Sequence, residues 1–123
     1  MLFRSICRYL VGTADYRLQY GMRHDGLYAY ADADWASDKT SQRSNTGYLI
    51  LLSGAAISWN SRAQKTITLS STEAEYMSLS DTSRQLVWMR SFLKELGMTI
   101  SAIPLCGDNQ GAIFNASNPV QER

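Results

Sequence analysis

The spacing of apolar positions changes period several times along the chain. Leu2, Phe3, Ile6, Tyr9 and Leu10 recur at helical intervals with Arg4 and Arg8 between them, and Gly12 supplies a stop. A short amphipathic helix is predicted there, one that is marginal without something to pack against. From Asp15 to Gly26 the chain is polar and carries Gly21 and Gly26, as a connection does. The apolar run Leu27-Tyr28-Ala29-Tyr30-Ala31 then breaks into Asp32-Ala33-Asp34-Trp35, the pattern of a buried strand that delivers carboxylates at its end. Residues 38–45 are a polar loop with Lys39 and Arg43. Thr46 to Leu52 reads as a second strand, and Ser53-Gly54 as a tight turn into a third over Ala55 to Trp59. Arg62 to Lys65 forms a second basic loop, after which residues 66–69 alternate with period two.

Ser70 opens the longest periodic segment. With Ser70 as N-cap, Glu73 takes the third helical position of a capping box, and the pattern runs to Leu96 before Gly97 ends it. Leu79, Leu86 and Leu93 recur every seven residues, with Met89 and Leu96 beside them, as a core-facing stripe. Trp59 and Trp88 are expected in the core, and Trp35 either buried or beside a ligand. Ile103 to Cys106 reads as a fourth strand. Asp108-Asn109 closes it, and a short helix from Gln110 to Ala116 ends at Asn118-Pro119. The order of three strands, a long helix, a strand and a short helix indicates an α/β domain.

Composition narrows this little. The chain has 123 residues, 45% apolar and 19% charged, which suits one globular domain at roughly 150 residues per domain. Twelve Lys and Arg against eleven Asp and Glu give a net charge of +1, so binding to a polyanion needs a local basic patch or metal ions. No run of eighteen apolar residues is present, which leaves no candidate membrane span and an intracellular expectation. Cys7 and Cys106 read as a reduced pair rather than a bridge.

Three acidic residues carry candidate chemistry. Asp32 and Asp108 fall at the carboxyl ends of predicted strands, where ligands of open α/β sheets gather, although a turn or cap would also use Asp. On the long helix, at 100° per residue, Glu75 projects within about 40° of Leu79, Leu86 and Leu93, whereas Glu73 points roughly 120° away from Leu79. A carboxylate on the core stripe is costly unless it is paired, bound to metal, or able to snorkel out at the first turn. Oxygen ligands with no His or Cys cluster (His24 is the only histidine) favour Mg²⁺ or Mn²⁺ over zinc. Two such ions about 3.5–4 Å apart serve phosphodiester hydrolysis. The Asp-x-Asp of aspartyl phosphotransferases is the competing reading. It fails because Trp35 follows Asp34, and because Gly107-Asp108 has Ala112 where a further Asp belongs.

These residues sit in a larger set of motifs: Tyr30-Ala31-Asp32-Ala33-Asp34-Trp35-Ala36, Ser44-Asn45-Thr46-Gly47-Tyr48, Ile57-Ser58-Trp59-Asn60-Ser61-Arg62, Leu69-Ser70-Ser71-Thr72-Glu73-Ala74-Glu75-Tyr76, Gly107-Asp108-Asn109-Gln110-Gly111-Ala112-Ile113 and Ser117-Asn118-Pro119-Val120. In this order the chain resembles the ribonuclease H domain of copia-type LTR retrotransposon polyproteins over essentially its whole length. Residues 1–25, with Arg8-Tyr9-Leu10-Val11-Gly12-Thr13-Ala14, are similar to the helix and connector on the reverse transcriptase side, leaving 26–123 as the ribonuclease H-like domain.

The resemblance implies a mixed sheet with flanking helices and cleavage of the RNA strand of RNA–DNA hybrids by an acidic set holding two Mg²⁺ or Mn²⁺ ions. Carried over, the set is Asp32, Glu75 and Asp108, with Asp34 as the other choice for its first member. Family members continue past the region of Arg123 into a last strand, a last helix and a fourth acid. The resemblance therefore implies a C-terminally truncated domain whose fourth strand is an open edge, able to pair with a second copy. Hybrid binding requires phosphate and 2′-hydroxyl contacts. Lys39, Arg43, Arg62, Gln64 and Lys65 are candidates, with Asn109 and Gln110 beside Asp108; solvated loop charge is the other reading of the basic residues. The implied partners are the hybrid and the reverse transcriptase of the same polyprotein, and the implied location is the cytoplasm (in virus-like particles) or the nucleus. A weakly active or inactive remnant serving as an interaction fragment is the alternative function.

Overall fold

The computed structural model describes residues 2–21, 26–37 and 40–118. Helix α1 spans Leu2–Gly12 and is followed by strands β1 (Leu27–Asp34), β2 (Asn45–Leu52) and β3 (Ala55–Ala63). Helix α2 (Ser71–Glu95), the two-residue strand β4 (Leu105–Cys106) and helix α3 (Gln110–Ser117) complete the order. The four strands form one sheet in the order β3-β2-β1-β4. β1 and β3 run antiparallel to β2, while β4 is parallel to β1, so the sheet is mixed. The chain is an α/β protein, and no helix among its described residues is long and apolar enough to cross a membrane.

Local chemistry explains the joints. Ser53 and Gly54 both take positive φ, as the two-residue turn of a right-twisted hairpin requires. Ser70 caps α2 by accepting the Glu73 N–H at 3.1 Å, and the Glu73 carboxylate reaches back to the Leu69 N–H at 2.7 Å, one residue earlier than in the usual box. At the far end Gly97 adopts φ 82°, and the N–H groups of Gly97 and Met98 bond the Lys94 and Leu93 carbonyls, which closes the helix in a Schellman turn.

α2 lies across β1 and β2. Leu86, Met89 and Leu93 pack on Leu27, Ala29 and Ile50, and nearer the start of the helix Leu79 meets Ala31 and Ala112. Leu105 touches both groups and so ties β4 into the core. α1 takes no part in this core: Phe3, Ile6, Tyr9, Leu10 and Val11 are all exposed. Its connector is tied down, however, by the Tyr20 hydroxyl on the Ala56 carbonyl and the Gly21 N–H on the Ser53 carbonyl. Cys7 and Cys106 are both free and exposed.

Several expectations need correction. Trp59, Trp88 and Leu96 are exposed rather than core; Trp88 instead stacks on Phe92 along the outer face of α2, with ring centroids 5.5 Å apart. β1 continues to Asp34 because residues 32–34 keep pairing with residues 45–47, so Asp32 lies within the strand. β3 continues to Ala63, which places Arg62 in a strand and not a loop. Residues 66–69 form no strand even though Thr68 is buried between exposed Ile67 and Leu69. The fourth strand shrinks to Leu105–Cys106, although the Pro104 carbonyl still accepts the Ala29 N–H.

Candidate metal centre

Three elements bring one carboxylate each to a common point. Asp32 stands opposite Gly47 near the end of β1, Glu75 lies in the first turns of α2, and Asp108 occupies the link between β4 and α3. Each offers an oxygen, and these oxygens all lie within 4.8 Å of one another. Asp32 and Asp108 are exposed while Glu75 is 7% exposed, so the cluster joins one buried carboxylate to two that face solvent. Asp34 is not part of this cluster.

The approach of α3 depends on a missing side chain. A Cβ on Gly111 would come within 3.2 Å of Thr72 Cγ2 and 3.3 Å of Asn109 Oδ1. Glycine thus lets the first turn of α3 rest on the first turn of α2, which carries Asp108 toward Glu75. Asn109 then caps α3, its Oδ1 accepting the Ala112 N–H at 2.9 Å.

The electrostatics are unbalanced. Burial raises the Glu75 carboxyl above its ordinary range, the Ala33 N–H donated to its Oε1 at 3.2 Å lowers it, and the negative charges of Asp32 and Asp108 raise it again. The ion pairs among the described residues lie elsewhere: Arg62 and Arg84 both bind Asp81. Three carboxylates gathered with no Lys or Arg ion pair among the described residues are a hard, anionic oxygen set. Oxygens bound to one Mg²⁺ lie about 3–4 Å apart at metal–oxygen distances of about 2.1 Å, a spacing close to the 4.8 Å within which these three oxygens lie. The residues fit a magnesium- or manganese-type site.

The other candidates are dispersed. Arg43, Arg62, Lys65 and Gln110 are exposed, and Arg62 is held by Asp81 at 2.7 Å. Lys39 lies outside the described residues. Gln64 requires correction: it is buried, and its Nε2 donates to Thr46 Oγ1 and to the Ala74 carbonyl, so its side chain holds the fold rather than facing a ligand. Gln64 is one of several buried polar residues of the fold, with Ser44, Thr46, Thr68, Ser78 and Thr82. Ser44 Oγ lies 2.8 Å from Thr68 Oγ1 and accepts the Ala36 N–H, while Trp35 Nε1 donates to the Thr68 carbonyl. Ser78 was not foreseen from sequence. The signal was there: Glu75, Ser78 and Thr82 occupy i, i+3 and i+7 of the stripe that otherwise holds leucines.

No protein-family profile matches the chain, and no solved structure does. Curated sequences do match. The chain is 43% identical over 120 residues to the retrovirus-related Pol polyprotein from transposon RE2 of Arabidopsis thaliana, covering 95% of this chain. It is 42% identical over 113 residues to the corresponding polyprotein from transposon TNT 1-94 of Nicotiana tabacum, covering 92% of this chain. Its homologues are retrovirus-related Pol polyproteins. The chain spans only 8% of the length of each, so it corresponds to one segment of a retroelement polyprotein. A further relative is a secreted RxLR effector protein of Plasmopara viticola, 45% identical over 87 residues that make up 70% of this chain and 61% of that protein.

Proposed function

We propose that the chain is a ribonuclease H-type endonuclease module that hydrolyses the RNA strand of RNA–DNA hybrids. The observation that carries this reading is the meeting of Asp32, Glu75 and Asp108, drawn from positions far apart in sequence, in one anionic cluster. The motif set around these residues and the Pol polyprotein homologues point the same way. Asp32, Glu75 and Asp108 would hold divalent ions, Mg²⁺ or Mn²⁺, which when bound supply an activated water and stabilise a leaving oxygen.

The chain's own residues set the rest of the chemistry. Exposed Asp32 and Asp108 leave the cluster open to a phosphodiester, while buried Glu75 is held by its bond to the Ala33 N–H. Arg43, Lys65 and Gln110, all exposed, supply contacts to the hybrid backbone. Positioned charge of this kind governs phosphoryl chemistry. A gel assay of a labelled hybrid with Mg²⁺ or Mn²⁺ tests the reading, using this chain alone and extended by the stretch that follows the aligned region in the transposon RE2 polyprotein. Metal-dependent cuts confined to the RNA strand are expected, and lost in Glu75→Gln. Absence of cleavage from both forms refutes it.

A further inference from the structure

The hydrogen-bonded serine and threonine hydroxyls along α2 are of two kinds. Those of Thr82, Ser83 and Ser91 donate to the carbonyls of Ser78, Leu79 and Val87, four residues earlier, as hydroxyls inside helices ordinarily do. Ser78 departs from this pattern. Its Oγ donates out of the helix to the Asp32 carbonyl at 2.7 Å, with the Gly47 carbonyl at 3.2 Å as a second, weaker acceptor. The cause lies four residues back, at Ala74. The Ala74 carbonyl takes the helical N–H of Ser78 and also the Gln64 amide at 3.0 Å, which occupies both of its lone pairs. Gln64 is fixed in that role by its bond to Thr46 Oγ1 at 2.8 Å and by its own N–H on the Ser44 carbonyl at 2.8 Å. Denied its back-bond, the Ser78 proton goes to the strand that bears Asp32.

That strand is gripped at a single peptide unit. The carbonyl of the Asp32–Ala33 peptide accepts from Ser78, and the N–H of the same planar unit donates to Glu75 Oε1. Two residues one turn apart on α2 therefore hold both ends of the peptide from which the Asp32 side chain springs. We propose that Gln64 and Ser78 act as one coupled pair of positioning residues that fixes the spacing of Asp32 and Glu75 for divalent-cation binding, an inference that rests on the metal-site reading above. Ser78 and Gln64 are both buried, and their hydrogen bonds go to protein acceptors.

Titration of the 123-residue chain with Mn²⁺ alone, with folding checked by circular dichroism, tests the pair. Ser78→Ala and Gln64→Met each weaken Mn²⁺ binding by about 10-fold or more, the usual loss when a metal ligand's supporting bond is removed. The double variant binds no more weakly than the worse single one, because both changes act through one bond. Thr82→Val removes a buried hydroxyl from the same helix face without touching Asp32, so it lowers stability and leaves Mn²⁺ affinity as in wild type. Ser78→Cys, near-isosteric and a poor donor, is expected to weaken Mn²⁺ binding too and replaces Ser78→Ala where the latter does not fold. Wild-type affinity in a folded Ser78 variant, or additive losses in the double variant, overturns the coupled pair alone. A wild-type chain that does not bind Mn²⁺ overturns the site reading together with it.

Discussion

The two halves of α2 rest on the same sheet yet bury opposite chemistry. From Leu86 onward the buried positions are Leu86, Met89 and Leu93, packed on Leu27, Ala29 and Ile50. Before that they include Glu75 and Ser78, with the buried Gln64 amide on the Ala74 carbonyl beside them. The apolar half gains stability from area removed from water, with no directional demand. The polar half gains little net stability, because each buried polar group must recover its lost hydration through a bond of defined geometry. What it gains is specificity: a network that fits only one register between helix and strand. The carboxylate cluster sits at the polar end. One half of the helix anchors the fold, and the other aims the site.

Substitutions that separate stability from metal binding sharpen this contrast. Leu86→Ala is expected to have the largest effect on folding, about 2–5 kcal/mol in denaturant unfolding, with Mn²⁺ affinity retained by the folded fraction. A comparable loss of affinity in that variant breaks the division between halves. Gly111→Ala, which pushes a methyl against Thr72, costs about 1–3 kcal/mol and weakens Mn²⁺ binding as α3 carries Asp108 outward; unchanged binding shows that the α2–α3 contact does not place Asp108. Ser70→Ala removes the cap of α2 and costs about 1 kcal/mol by the same unfolding measurement.

The smallest effect comes from charge. The Glu75 carboxyl holds its proton more tightly in the folded chain than in the unfolded one. Its contribution is therefore neutral below the carboxylate range and becomes destabilising as pH climbs through its raised value. Glu75→Gln, which keeps an acceptor for the Ala33 N–H, should unfold at a higher temperature than wild type at neutral pH without metal, and at the same temperature in acid. A variant less stable than wild type at neutral pH shows that the charge is compensated by a group other than a metal ion.

Much of this architecture was legible in the sequence because it rests on local rules. The Ser70 cap, the Gly97 stop, the Ser53-Gly54 turn and the Leu79-Leu86-Leu93 stripe each follow from a few adjacent residues, and all stand in the structure. The helical phase of Glu75 also foretold its burial. Trp88 reads as core only by size, against its phase: Trp88 and Phe92 share an outer face of α2, where stacking on each other substitutes for core packing. Leu96 keeps the phase of Met89 but is the C-cap residue past the end of the helix, and so is exposed. β3 outruns its apolar pattern: residues 60–63 are mostly polar, and pairing with residues 45–48 extends the strand regardless. A Lys-flanked Gln in a basic stretch reads as solvated, yet Gln64 is buried. Only the three-dimensional approach of Thr46 and Ala74 discloses its role.

The shared-ion claim is tested most directly by Mn²⁺ titration, followed through the electron paramagnetic resonance of the free ion, of wild type, Asp32→Asn, Glu75→Gln, Asp108→Asn and Asp34→Asn. Binding is expected for wild type and for Asp34→Asn, with strong loss in each of the other three. Equal binding by all five, or a loss confined to Asp34→Asn, contradicts it.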